Sequence, residues 1–357
     1  EEYNRVNTKE LVDHFITHSP KFNDDLGLDD IDDKHENIVK EAYLQINNGK
    51  AFTKNNFRNW KEQSDLGVPS QLSFSAANEN GYLNMILKFA YRKLFRRDVD
   101  RFLLSAILDD IDVIKSTGGE KLLDENPVHL TPGASEGYHI NGTSVNVRWL
   151  KYIYILNRFL KFKLVEDNAI WVDVGSYYGG LQGLVRKYRP RSRIVMVDFH
   201  HQLCRSYIYL SELFPEAKHI MPDEVSNYKS LNDMPEGAIM YVPVSEYEQI
   251  SEQKVDLVSN HFSLGEMRRE FFNVYMNSTL FKKSKKVYIV NRFVSSPFFE
   301  KIYDTDLNIL DYIDTERSVE YFDVFPVYHY MLMQREVFGR NEFRNLSSSF
   351  FEQLTSN

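Results

Sequence analysis

The sequence predicts an α/β protein, with a mostly parallel sheet in the later part of the chain and a helical region before it. Three observations lead there. From residue 169 onward, short apolar runs alternate with amphipathic helical patterns. The first run turns through glycines straight into a helix pattern, "AIWVDVGSYYGGLQGLVRKYRP" at 169–190. Residues 1–130 carry apolar residues at helical spacing instead. Strand–helix alternation builds a parallel sheet covered on both faces, and ligands of such sheets sit at the carboxyl ends of the strands, near the switch in strand order.

In the first region, Ile38, Val39, Ala42, Tyr43 and Ile46 form one helical stripe. Leu83, Ile86, Leu87, Ala90 and Leu94 form a second, and Val99, Phe102, Leu103, Ala106 and Ile107 a third. The acidic stretch "DDLGLDDIDDKHE" at 24–36 lacks the spacing and final Glu of a calcium loop, and reads as solvated. A Gly-, Pro- and Ser-containing connector spans 126–144, and Ser144 is expected to cap a long helix, "VNVRWLKYIYILNRFLKF". The division expected is a helical accessory region at 1–130 and a sheet domain at 131–357.

The sheet domain opens with "AIWVDVG" as first strand and "GGLQGLVRKY" as a helix closed by Pro190. "SRIVMVDF" is the second strand and "HQLCRSYIYLSELF" the next helix. "GAIMYVPV" and "KVDLVSNHF" are the third and fourth strands, "EMRREFFNVYMNSTLF" a helix and "KKVYIVNRF" the fifth strand. The tail "SVEYFDVFPVYHYMLMQREVFGR" reads as two aromatic strands separated by Pro326.

Composition narrows the function. A net charge of −8 argues against a broad nucleic-acid surface, and the one basic cluster, "KKSKK" at 282–286, is short enough to be a helix end before a strand. Cys204 is the single cysteine, which excludes an intramolecular disulfide and fits a reducing cytoplasm. No apolar run reaches the roughly 20 residues of a membrane span. The chain opens on Glu1 with no signal-like segment, as a trimmed chain would. Glycosylation-type triplets begin at Asn141, Asn277 and Asn345, a number that chance supplies in such a chain. The sequence leaves room for an oligomer.

The glycine turn selects among nucleotides. A dinucleotide fingerprint needs a second glycine two residues after the first, so that a pyrophosphate can approach the backbone. Tyr177 stands at that position, and the Lys and Ser or Thr of a phosphate loop are absent as well. What remains is acid-x-Gly-x-x-x-Gly, Asp173 to Gly179, with Asp198 at the end of the second strand, 23 residues beyond Gly175. A ligand with one amine, one ribose and no phosphate suits that arrangement, and S-adenosylmethionine (SAM) is such a ligand. Asp173 would serve its ammonium group and Asp198 its ribose hydroxyls. The plainer alternative is a tight strand–helix turn with a helix-capping acid.

On these residues the segment from about 126 to 300 resembles the Rossmann-like class I SAM-dependent methyltransferases. Within them it is most similar to bacterial sugar O-methyltransferases with a helical N-terminal extension. The matching stretches are "VDVGSYYGGL" at 172–181, "VMVDFHHQLCRSYIYLSELFP" at 195–215 and "VDLVSNHFSLGEM" at 255–267. Phe199 and His200 depart from the Leu-Pro that family members often carry there, and 216–236 is long. The resemblance implies an antiparallel C-terminal strand, a SAM cofactor, and O-methylation of a sugar in surface polysaccharide or glycan synthesis. Methylation of a non-sugar small molecule or peptide, and a non-catalytic SAM-fold binding protein, are the alternatives.

The expected cofactor-binding residues are Asp173, Gly175, Ser176, Tyr177, Gly179, Asp198, Phe199 and Asn260, with Arg148 as a partner for the SAM carboxylate. His261, just past the fourth strand, is the expected base, because imidazole titrates near neutral pH. Glu266 would orient that ring or accept a sugar hydroxyl. The plainer reading makes Asn260 and His261 polar groups ending a strand, and Glu266 a charge favoured at a helix N-terminus. His200 or His201 would border the adenosine. No compact Asp/Glu set for a metal is visible, so metal-independent transfer is expected.

Overall fold

A computed structural model of the protein describes residues 107–127, 138–140, 143–145, 147–267, 269–294, 307–327 and 350–357. The stripes at 38–46 and 83–94, the start of the third and the acidic stretch lie outside the described residues. The described residues belong to two compact units, one holding 107–157 and 326–327, the other 158–325 and 350–357.

In the first unit, residues 107–116 are helical and bury Ile107 and Ile114. The short helix Glu120–Glu125 follows and buries Leu122 and Leu123. Trp149 Nε1 donates to the Asn126 carbonyl at 2.6 Å, and Asn157 Nδ2 to the Thr117 carbonyl at 3.1 Å. Ser144 is not a helix cap. It belongs to β2 (Thr143–Val145), which pairs antiparallel with β1 (Tyr138–Ile140), and the helix starts afterwards, at Val147–Lys161. The reason is local: the sequence Asn-Gly between two short runs is a hairpin signal, and the two strands pair from Ile140↔Thr143 outward.

The second unit is built on an eight-stranded sheet of order β5-β6-β4-β3-β7-β8-β10-β9. Its strands are β3 (Ile170–Val174), β4 (Arg193–Asp198), β5 (His219–Ile220), β6 (Ile239–Pro243), β7 (Leu257–His261), β8 (Lys286–Arg292), β9 (Ser318–Phe325) and β10 (Phe350–Ser356). Every residue of β3, β6 and β7 is buried, as befits near-continuous apolar runs with both faces covered. β5 to β8 pair in parallel throughout, and β10 runs antiparallel to both β8 and β9. This is the predicted α/β class, a mostly parallel sheet with an antiparallel C-terminal strand.

Chain order explains where a site can form. From β3 the chain moves outward through β4 to β6 and β5, then returns to the other side of β3 for β7 and β8. In sheets of this kind ligands bind outside the strand ends at such a switch in strand order.

Three details differ from the sequence reading. The helix expected over 266–281 is two helices, Arg269–Asn277 and Thr279–Lys283. Ser278 divides them, accepting from the Phe281 N–H at 3.3 Å and donating to the Tyr275 carbonyl at 2.6 Å. The edge strand β5 lies in 216–236, the long run for which no strand was expected. The tail's first strand is β9, "YHYMLMQREVFGR" at 328–340 falls outside the described residues, and β10 lies beyond it at the C-terminus. The burial of Glu352, Gln353 and Thr355 hides β10 from an apolar-run reading.

Candidate functional site

The glycine turn follows β3. Gly175 N–H donates to the Val197 carbonyl at 2.8 Å, carrying the β3–β4 ladder one residue past the strand. Gly175 (φ 75°), Tyr177 (φ 55°) and Gly179 (φ 89°) then take left-handed conformations. For the tyrosine that costs about 1–2 kcal/mol. Hydrogen bonds on both sides hold it: Tyr177 N–H donates to Asp198 Oδ2 at 2.7 Å, and Ser206 Oγ donates to its carbonyl. Asp198 Oδ1 accepts from Phe199 N–H at 2.7 Å. A buried carboxylate at the end of β4 thus clamps the turn after β3. The Tyr177 ring packs edge-on to Tyr178, and Tyr178 to Tyr209.

The two glycines are required for different reasons. A Cβ on Gly175 would lie 2.0 Å from Ser263 Oγ, whereas one on Gly179 would meet Leu210 Cδ1 at 2.9 Å. Gly175 permits the turn after β7 to close over it, and Gly179 lets the helix Gly180–Tyr188 pack on the helix His200–Leu213.

Asp173 points beneath the turn and is 2% exposed. Its Oδ1 accepts from Ser259 Oγ at 2.5 Å and its Oδ2 from Gln182 Nε2 at 2.5 Å. Ser259 in turn accepts from Trp171 Nε1 at 2.7 Å. His261 Nδ1 stands 3.1 Å from Asp173 Oδ1, within ion-pair reach but not aligned for a hydrogen bond. The imidazole lies beside Phe159 and Tyr288, with centroids 5.9 and 5.8 Å away. Among the described residues neither ring nitrogen has a hydrogen-bond partner, and Ser176 Oγ and Gln182 Oε1 are likewise buried without one.

Asn260 faces the opposite side of β7. Its Nδ2 donates to the Val174 carbonyl at 2.7 Å and to Ser263 Oγ at 2.6 Å. Its Oδ1 accepts from Leu264 N–H at 3.1 Å and from Asn291 Nδ2 at 2.8 Å. An amide has two N–H bonds and two lone pairs, so all four positions of Asn260 are taken within the chain. Asn291 Oδ1 also accepts from Gly265 N–H at 3.0 Å. Glu266 closes the 3₁₀ turn Leu264–Glu266 and accepts from Arg292 Nη2 at 2.8 Å.

The structure therefore gathers Asp173, Gly175, Ser176, Tyr177, Asp198, Phe199, Asn260 and His261 at the carboxyl ends of β3, β4 and β7. Glu266 stands on the turn after β7, tied to β8. Arg148 lies on the first turn of the helix Val147–Lys161, in the first unit. Sequence reasoning missed Trp171, Gln182, Ser259, Ser263, Asn291 and Arg292. One signal was available: "SNHF" and "VNRF" end neighbouring strands with the same pattern of Asn, a nitrogen-bearing side chain (His261 or Arg292) and Phe. Among the described residues no three His, Cys, Asp or Glu side chains come together as a metal-holding group, and no helix is long and apolar enough to cross a membrane.

No sequence-family model matches the chain, and no curated protein matches it. Solved structures with a similar backbone include a geranyl diphosphate methyltransferase in complex with SAM, at 11% identity over 58% of this chain and 84% of that one, with a TM-score of 0.41. Another is geranyl diphosphate C-methyltransferase from Streptomyces coelicolor A3(2), at 12% identity over 58% and 79%, with a TM-score of 0.39. A third is Haemonchus contortus phosphoethanolamine N-methyltransferase 2, at 12% identity over 58% and 52%, with a TM-score of 0.37. Likeness at this level carries no weight for what this chain does; its own residues do.

Proposed function

We propose that this chain is a SAM-dependent methyltransferase acting on a hydroxyl group, with a sugar as acceptor. The observation that carries the cofactor reading is the clamp between Asp198 and the Tyr177 N–H at the switch in strand order. An anion-binding turn aims its amides at phosphate. Here the Tyr177 amide is given to a carboxylate, which suits a neighbouring diol and opposes a pyrophosphate. Asp198 would accept from the ribose hydroxyls, and Phe199 would border the adenine. The sugar acceptor rests on the motif resemblance alone.

Bound SAM would supply a sulfonium methyl group for in-line displacement. The chain must then hold the acceptor oxygen in line and take its proton. His261 is the group we assign to the proton. Buried polar atoms in folded proteins are normally hydrogen-bonded, and Nε2 has no partner among the described residues. An acceptor hydroxyl, or a water relaying its proton, would satisfy it, while the Asp173 carboxylate beside Nδ1 steadies the ring and the imidazolium it becomes.

Calorimetry with SAM and S-adenosylhomocysteine tests the cofactor, and binding of neither removes the proposal. Mass spectrometry across nucleotide sugars, glycans and non-sugar alcohols then seeks the mass gain of one methylene. A product only from a non-sugar would remove the acceptor class and keep the reaction. His261→Ala should lower turnover by about 10²–10⁴ with SAM affinity nearly intact. Loss of SAM binding would make His261 a cofactor contact instead.

A further inference from the structure

We infer that Ser263 is a ligand-contacting residue that selects for the free amino-acid end of the cofactor, and that Asn260 and Asn291 position it. The inference rests on the SAM reading above and gives a role to Ser263, which stands in the matching stretch 255–267 but was not among the expected site residues.

Ser263 Oγ stands directly on the Gly175 face, so close that a Cβ there would fall 2.0 Å from it. It stands where the turn after β3 meets the turn after β7. Phe262 begins that second turn with φ 70°, a strained conformation for a side chain of its size. Its N–H donates to the Val290 carbonyl at 2.7 Å, and its ring packs edge-on to Phe325 and Phe350. Strain kept at such a place needs surroundings that over-determine it. The Asn260 amide ties Ser263 to Val174 on β3, and Asn291 ties both Asn260 and Gly265 to β8.

The direction of the hydroxyl follows from the donors around it. Asn260 Nδ2 donates to Ser263 Oγ at 2.6 Å. A hydroxyl has one donor and two acceptor positions, so the serine proton is directed away from Asn260. An O–H held half-exposed beside a glycine turn suits a carboxylate. In the SAM reading the glycine turn faces the methionine portion, whose α-carboxylate is the matching group. Asn260 cannot take that role, since its four positions are already used.

The test compares ligands that share adenosine and differ at the amino-acid end. SAM and S-adenosylhomocysteine carry an α-carboxylate, and methylthioadenosine carries none. Affinities of wild type and Ser263→Ala for all three are measured by calorimetry. Losing a hydrogen bond to a charged group should weaken SAM and S-adenosylhomocysteine binding about ten- to a hundredfold. Methylthioadenosine affinity should stay unchanged, which also shows that the variant is folded. If wild type binds SAM but Ser263→Ala weakens all three ligands equally, or none, the role of Ser263 is overturned while the cofactor reading stands. If wild type binds neither SAM nor S-adenosylhomocysteine, the cofactor reading itself fails.

Discussion

At the residue scale, the turn after β3 shows how single positions set the site. Gly175→Ala adds a Cβ against Ser263 at a left-handed φ, so strain and steric conflict act together. The strain alone is about 1–2 kcal/mol, and urea denaturation should show at least that loss together with weakened SAM binding. Asp198→Ala should weaken SAM binding about ten- to a hundredfold in a protein that still folds. His219 provides a pH test. It bonds Tyr241 Oη at 2.9 Å through Nδ1 and the Phe214 carbonyl at 3.1 Å through Nε2. Burial lowers its pKa below the ordinary 6.5, more than the Phe214 carbonyl raises it; Arg186 and Lys218 lower it further and Glu216 opposes them. Above pH 6.5 both states are neutral there and the group contributes nothing. As pH falls through that value the unfolded chain takes the proton first, so stability falls, by at most about 1.4 kcal/mol per pH unit. His219→Gln should flatten the fall in melting temperature between about pH 7 and pH 5. An equally steep profile would show that other groups cause it.

At the element scale, the strands of the parallel core were legible because each is a short apolar run buried on both faces. Helix ends were harder to read. "EMRREFFNVYMNSTLF" has helical periodicity throughout, and only the structure shows Ser278 bonding Phe281 and Tyr275 to end one helix and start another. Tyr247 Oη also bonds Ser278 Oγ at 2.8 Å. Ser278→Ala should therefore cost about 1 kcal/mol for the cap, with a further loss from the Tyr247 hydroxyl left unpaired. A shifted urea midpoint with an unchanged slope is the expected result. The hairpin of β1 and β2 went unread for a different reason. Three-residue strands give too little alternation to weigh against the strong helix pattern that follows.

For the sheet as a whole, β10 is the element that joins the edge strand β9 to β8, and it does so with buried charge. Glu352 is 0% exposed and accepts from Arg158 Nη2 at 2.9 Å, Tyr288 Oη at 2.8 Å and Tyr321 Oη at 3.0 Å. These partners come from a helix end, β8 and β9, so one carboxylate joins the C-terminal strand to three other elements. Removing one member leaves a buried charge uncompensated, which typically costs 3–5 kcal/mol. Glu352→Ala should lose about that much stability by denaturant unfolding, and Arg158→Met with Glu352→Leu should recover part of it. A double variant no better than the single would show that the two tyrosines, rather than the ion pair, carry the cost.

Local pattern was enough to reveal the alternating strands, the glycine turn with its missing second glycine, and the two acids on neighbouring strand ends. These are properties of residues close in sequence, where periodicity and turn chemistry act directly. It took the folded chain to show that Asp198 grips the turn through Tyr177, that Asp173 is turned inward onto Ser259 and Gln182, and that Asn260 is spent on the chain itself. Partners of Asp173 and Asn260 stand up to 86 residues away. No local rule orients an amide or a carboxylate toward one long-range partner over another. Sheet order does, by bringing the ends of β3, β4, β7 and β8 side by side, and the desolvation of buried polar groups then allows only the arrangement in which they find partners.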